Sequence, residues 1–138
     1  MLAQTLWIAG SLIFLSLGTI HLLYTFFTDR FSARDSEVEE GMKNTYPKLT
    51  RQTTMWDAWV GFNASHSMGA IFLGIVNMIL AVQYLPILEN AYLLLLLTLG
   101  TAAFYLYLAH KYWFRIPLTG IAIANMFFWI AATRMFLG

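Results

Sequence analysis

LAQTLWIAGSLIFLSLGTIHLLYTFF, residues 2–27, contains no Asp, Glu, Lys or Arg. An uncharged run of this length exceeds the roughly 20 residues that an α-helix needs to cross a hydrocarbon core. It lacks a basic leading stretch and a small-x-small cleavage site, so a retained helix is expected rather than a cleaved leader. Three more runs of the same character follow. The expected spans are residues 3–27, 58–85, 87–110 and 116–137, in one transmembrane domain over residues 1–138. The expected fold class is all-α, a membrane-embedded up-down-up-down four-helix bundle, because short connections make sequential helices antiparallel neighbours.

Composition agrees. The 138 residues are 59% hydrophobic and only 11% charged, where a soluble domain carries about a quarter of its residues as charges. Most charges gather between residues 28 and 57. The absence of cysteine excludes disulfides, thiolate metal sites, iron–sulfur clusters and covalently attached haem. A net charge of +1 without a basic patch gives no nucleic-acid footprint.

Local signals punctuate the runs. Thr54 followed by Asp57 has the spacing of a capping box at the head of the second span. Pro86 is expected to end that span, and Pro117 suits the first turn of the fourth. Within the long connection, SEVEEGMKN (36–44) has capping-box spacing between Ser36 and Glu39, although a solvated connector is the simpler expectation. Orientation follows from basic residues. Arg30, Arg34, Lys43, Lys48, Arg51, Lys111 and Arg115 fall in the first and third connections, and only Arg134 lies on the other side. The positive-inside rule therefore places loops 28–57 and 111–115 in the cytoplasm and both termini in the periplasm. Trp56, Trp59, Tyr112 and Trp113 sit where an interfacial aromatic belt is expected.

Polar residues inside the spans are costly, and here they follow helical spacing. In the second span Asn63, His66, Ser67, Ala70, Gly74 and Asn77 form one polar-to-small stripe, with Phe62, Phe72, Ile75 and Ile79 away from it. Ser11, Gly18, His21 and Thr25 do the same in the first span, with Phe14 between. The expected inner faces of the other two are Gly100, Ala103, Tyr107 and His110, and Leu118, Ala122, Asn125, Trp129 and Ala132. At 1.5 Å per residue, His21 lies roughly 9 Å, and His66 and Asn125 roughly 12 Å, inside the cytoplasmic ends of their helices. His21, Asn63, His66, Ser67, Tyr107 and Asn125 are thus expected to share one layer of the cytoplasmic leaflet and to form a ligand site.

Each feature also has a bland reading. Gly61, Ser65 and Gly69 make a small-xxx-small ridge, which close helix packing explains without chemistry. Asn125 and Ser67 would serve as interhelical glue worth about 0.6 kcal/mol each. Asn63-Ala64-Ser65 matches a glycosylation sequon, but an asparagine inside a span is no acceptor. His110 beside Lys111 reads as interfacial. Ser67 is adjacent to His66 in sequence, so the two cannot face each other as a nucleophile and its base.

Three functions fit the layer. The first is a site for a small apolar or lipid-like ligand, such as a quinone, an isoprenoid or a lipid, with proton transfer open to the histidines. The second is a b-type haem held by His21 and His66 as axial ligands. The third is a structural membrane subunit in which the polar layer fixes helix register. No resident cofactor is specified by the residues, a metal site lacks a carboxylate in the layer, and the certain partner is the lipid bilayer.

LGTIHLLYTFFTDRFSARD (17–35) and LTRQTTMWDAWVGFNASHSMG (49–69) resemble a family of uncharacterised small bacterial four-span integral membrane proteins. The resemblance covers the first span, the long connection and the second span. It implies a bacterial inner-membrane protein and carries over no activity, cofactor or catalytic residue.

Overall fold

A computed structural model describes residues 1–137. Within them the chain is all-helical and has no strand. The helices are α1 (Leu2–Phe27), α2 (Ser36–Asn44), α3 (Met55–Gln83), α4 (Leu85–Asn90), α5 (Tyr92–Tyr112) and α6 (Arg115–Leu137). Helices α1, α3, α5 and α6 are long and apolar enough to cross a membrane. At 26 residues α1 would extend about 39 Å, ample for a hydrocarbon core of about 30 Å. Large apolar side chains such as Phe62, Phe72, Leu93 and Phe104 are exposed. On a chain of this composition they suit a lipid surround.

Helix boundaries follow their caps. The Asp57 N–H donates to Thr54 Oγ1 at 3.0 Å, and that hydroxyl donates to Asp57 Oδ2 at 2.8 Å. The pair satisfies an orphan donor of the first turn, which is why α3 starts at Met55, three residues before the expected boundary. SEVEEGMKN is a helix, α2, but its cap is Asp35, whose carboxylate accepts from the Glu37 N–H at 2.9 Å, and not Ser36. Pro86 does more than end a span. It occupies the first turn of α4, where its missing N–H is not needed. The third span therefore begins at Tyr92, after a break at Ala91, and not at Ile87.

The chain divides into two compact units, one of Met1–Leu17 with Ala70–Gly138 and one of Gly18–Gly69. The hydrophobic core belongs to the first. Trp7, Phe14 and Phe128 lie at its centre, fully or almost fully buried. The Trp7 and Phe128 rings are 4.9 Å apart, and Phe14 meets Tyr105 edge-on at 5.5 Å. Small residues allow this approach. A Cβ on Gly10 would sit 2.9 Å from the Phe128 ring. A Cβ on Gly74 would sit 2.7 Å from the Leu15 nitrogen and 2.8 Å from the Ser11 carbonyl oxygen, backbone atoms that cannot swing aside.

A buried polar knot ties three helices of this unit. Asn77 Oδ1 accepts from Trp7 Nε1 at 3.0 Å and from Thr98 Oγ1 at 2.9 Å, and its Nδ2 donates to the Leu73 carbonyl at 3.0 Å. With both lone pairs of its oxygen engaged, Asn77 is a hub of α1, α3 and α5.

Burial corrects two expected faces. On α5, Gly100, Ala103, Tyr107 and His110 are exposed; Leu95, Thr98, Leu99, Ala102 and Ala109 are buried. A helix as uniformly apolar as YLLLLLTLG offers no hydrophobic contrast, so packing chooses the face, and Ala102 and Ala109 permit the closer fit. On α6, Asn125 and Ala132 are buried but Ala122 and Trp129 are exposed. The packed face is Ile121, Ala124, Phe128 and Ala131, turned so that Phe128 fits against Gly10 and Trp7. The stripe expected on α3 is the one found. Ser67, Ala70, Gly74 and Asn77 are buried, Asn63 and His66 half-buried, and Phe62, Phe72, Ile75 and Ile79 exposed.

The approach at Gly74 gives a stability test. Gly74→Ala should lower the unfolding free energy in detergent by about 1–3 kcal/mol, the usual cost of overpacking. Gly41→Ala on α2, where a Cβ meets nothing within 4 Å, should be neutral or slightly stabilising. Thermal melts of the two variants beside the parent protein measure the difference.

Candidate functional site

The second unit contains the end of α1, the long connection with α2, and the start of α3. Asn63, His66 and Ser67 lie three and four residues apart, so they share one side of α3. His21 Nε2 lies 3.0 Å from Asn63 Oδ1. An amide oxygen can only accept, so the histidine nitrogen donates and carries the proton. Asn63 Nδ2 donates to the Trp59 carbonyl at 2.8 Å, which fixes which end of the amide faces His21. In the neutral ring the lone pair therefore lies on Nδ1. The His21 and His66 rings meet edge to face, with centroids 5.7 Å apart.

The connection covers His21. Phe31 stacks on His21 at 4.4 Å, and the Phe31 carbonyl accepts from Trp59 Nε1 at 3.2 Å. The Thr28 hydroxyl caps the end of α1 by donating to the Tyr24 carbonyl at 2.9 Å and accepting from the Arg30 N–H at 3.2 Å. Farther along, the Met55 N–H donates to the Thr45 carbonyl, holding the base of the connection. Lys43 pairs with Glu39 and lies 5.0 Å from the Trp56 ring centroid. The hydrogen bond from Lys43 holds the Glu39 carboxyl below the usual range. The pair is surface-exposed and adds little stability.

Beside Asn63 is a pocket of about 30 Å³, lined by Thr25, Thr28, Phe31, Ser32, Trp59 and Asn63 among others. At about 10–15 Å³ for each water, it is too small for an isoprenoid or acyl chain and large enough for a polar group.

Of the six residues expected to form the site, His21, Asn63 and His66 meet directly. Ser67 is buried beside them, but its hydroxyl donates to the Asn63 carbonyl at 2.8 Å, back into its own helix. Tyr107 and Asn125 belong to the first unit. Tyr107 is 51% exposed, and its hydroxyl accepts from Lys111 at 3.3 Å. Asn125 donates to the Ala102 and Ile121 carbonyls at 3.0 and 2.9 Å, tying α5 to α6 with both amide hydrogens. Phe31 and Trp59 join the site without having been expected there. Trp59 was legible, since it lies four residues before Asn63 on the same side of α3. Phe31 lies in a connection with no periodicity to read.

The ring geometry bears on haem. Axial histidines point one nitrogen each at the iron from opposite faces of the macrocycle. Here the rings meet edge to face, and Nε2 of His21 is engaged by Asn63, so this arrangement does not fit an axial pair. Among the described residues no group of three or more His, Cys, Asp or Glu side chains is placed to hold a metal ion. No family model, curated protein or solved structure matches the chain.

The Phe31 cover predicts a reactivity pattern. Phe31→Ala should raise diethyl pyrocarbonate modification of His21 severalfold, while exposed His110 serves as the internal reference and stays constant. Mass spectrometry of the modified peptides reads both, and an unchanged His21 rate would show that Phe31 does not shield the ring.

Proposed function

We propose that this chain is an up-down-up-down four-helix protein of a bacterial inner membrane, and that it binds the polar end of an apolar ligand at His21, Asn63 and His66. The excess of Lys and Arg in residues 28–57 and 111–115 supports placing those connections in the cytoplasm and both termini in the periplasm. The ligand class is a quinone, an isoprenoid or another lipid. One observation carries the reading: two half-buried histidines meet within a membrane-spanning pair of helices, one oriented by an asparagine and covered by a loop phenylalanine. Ionisable residues inside spans are expensive and are retained where they act. The neighbouring pocket admits a carbonyl, hydroxyl or similar group, while the apolar body of the ligand stays in the surrounding hydrocarbon. Histidine exchanges protons near neutral pH, so a ligand hydroxyl bound there can exchange its proton with the ring, while a quinone carbonyl accepts a hydrogen bond.

A structural role is the second reading, and the bonds at both ends of the Asn63 amide favour it. Its oxygen accepts from His21 and its nitrogen donates to Trp59, as expected of a residue that only fixes helix register.

Replacing His66 by Phe or Asn63 by Leu separates the readings. With a ligand site, both variants stay folded in mild detergent and lose a co-purifying lipid or quinone seen by mass spectrometry of the extract. They also lose the thermal shift on adding it back, about 2.7 kcal/mol at 100 times the dissociation constant. Identical extracts and shifts in parent and variants would leave the structural role.

A further inference from the structure

The pocket beside Asn63 has the size and lining of a water site. Its volume of about 30 Å³ is room for about two waters. Its walls supply polar partners: the hydroxyls of Thr25, Thr28 and Ser32 and the amide of Asn63. Those hydroxyls retain acceptor capacity. Thr25 Oγ1 donates to the His21 carbonyl at 2.9 Å and can still accept, as can Thr28 Oγ1. Asn63 uses one of its two amide hydrogens on Trp59 and keeps the second. One end of the lining is exposed, at Thr28 and Trp59, and the other is half-buried, at Thr25 and Asn63. Asn63 in turn holds His21. Apolar walls at Phe31, Trp56 and Val60 confine the space.

We propose that this pocket is a hydrated port that gives the His21–Asn63 pair contact with bulk water from the side of the long connection. Phe31 covers the ring face, so water reaches the pair through Thr28 and Thr25 and not across the aromatic stack. The port belongs to the ligand-free protein and goes beyond the ligand-site reading.

The test uses the whole chain, isotope-labelled at Asn and His and washed free of extractable lipid, in detergent micelles. Water-selective NMR measures magnetisation transfer from water to the Asn63 side-chain amide protons. The parent protein should show a clear transfer peak at Asn63 and none at the buried Asn125 amide. Val60→Phe, which adds bulk from the pocket wall without removing a polar group, should slow exchange at Asn63 by about an order of magnitude. Thr25→Val, which keeps the shape and removes one hydroxyl, should slow it less. Absence of transfer at Asn63 in the parent would overturn the port, whatever the variants do. So would equal exchange in the parent and a folded Val60→Phe protein. Loss of the ligand-site reading would leave these outcomes unchanged, because no ligand is present in the measurement.

Discussion

A polar group buried in hydrocarbon has no water to bond, so it must find its partner in the protein or destabilise the fold by several kcal/mol. That constraint organises this molecule. Among the described residues no buried side-chain nitrogen or oxygen lacks a partner. Most hydroxyls meet the requirement locally: Ser11, Ser67 and Thr133 each donate to the carbonyl four residues earlier. The long side chains meet it across helices, and these bonds fix which residues face each other. The Asn77 amide draws Trp7 and Thr98 to one point, and that knot sets the register of α1, α3 and α5 within the first unit.

The three asparagines of the spans show how one residue type serves different ends. Asn77 and Asn125 are buried in the first unit, and their bonds go to a Trp, a Thr and backbone carbonyls, none of which titrates near neutral pH. Asn63 is half-buried in the second unit and bonds a histidine. The same amide geometry that locks register at Asn77 selects a tautomer at His21. An ionisable ring as the partner of the amide distinguishes Asn63 from Asn77 and Asn125.

Much of this was legible in the sequence, and the rest was hidden for physical reasons. Span count and helical class follow from uncharged runs that only a membrane or a large core can accommodate, and Thr54 with Asp57 announced the start of α3. The α3 stripe was readable because Asn, His, Ser and Gly contrast with Phe and Ile on the opposite side. The α5 face was not readable, because a helix of leucines has no contrast and the choice fell to Ala102 and Ala109. Tyr107 misled for a related reason. Its ring suits an interior stripe, yet its hydroxyl pairs with Lys111 one turn on, at the exposed end of the helix. Phe31 was invisible because a loop residue carries no periodicity. Asn125 was found at a buried position, but only the fold shows that both its amide hydrogens are committed to backbone.

Asn63 orients His21 by accepting from its Nε2–H. Nitrogen-15 NMR of the His21 ring, at a pH where it is neutral, tests this directly. The parent protein should show a protonated Nε2 and an unprotonated Nδ1, with that preference lost in Asn63→Leu. A proton on Nδ1, or the same tautomer populations with and without the asparagine amide, would contradict it.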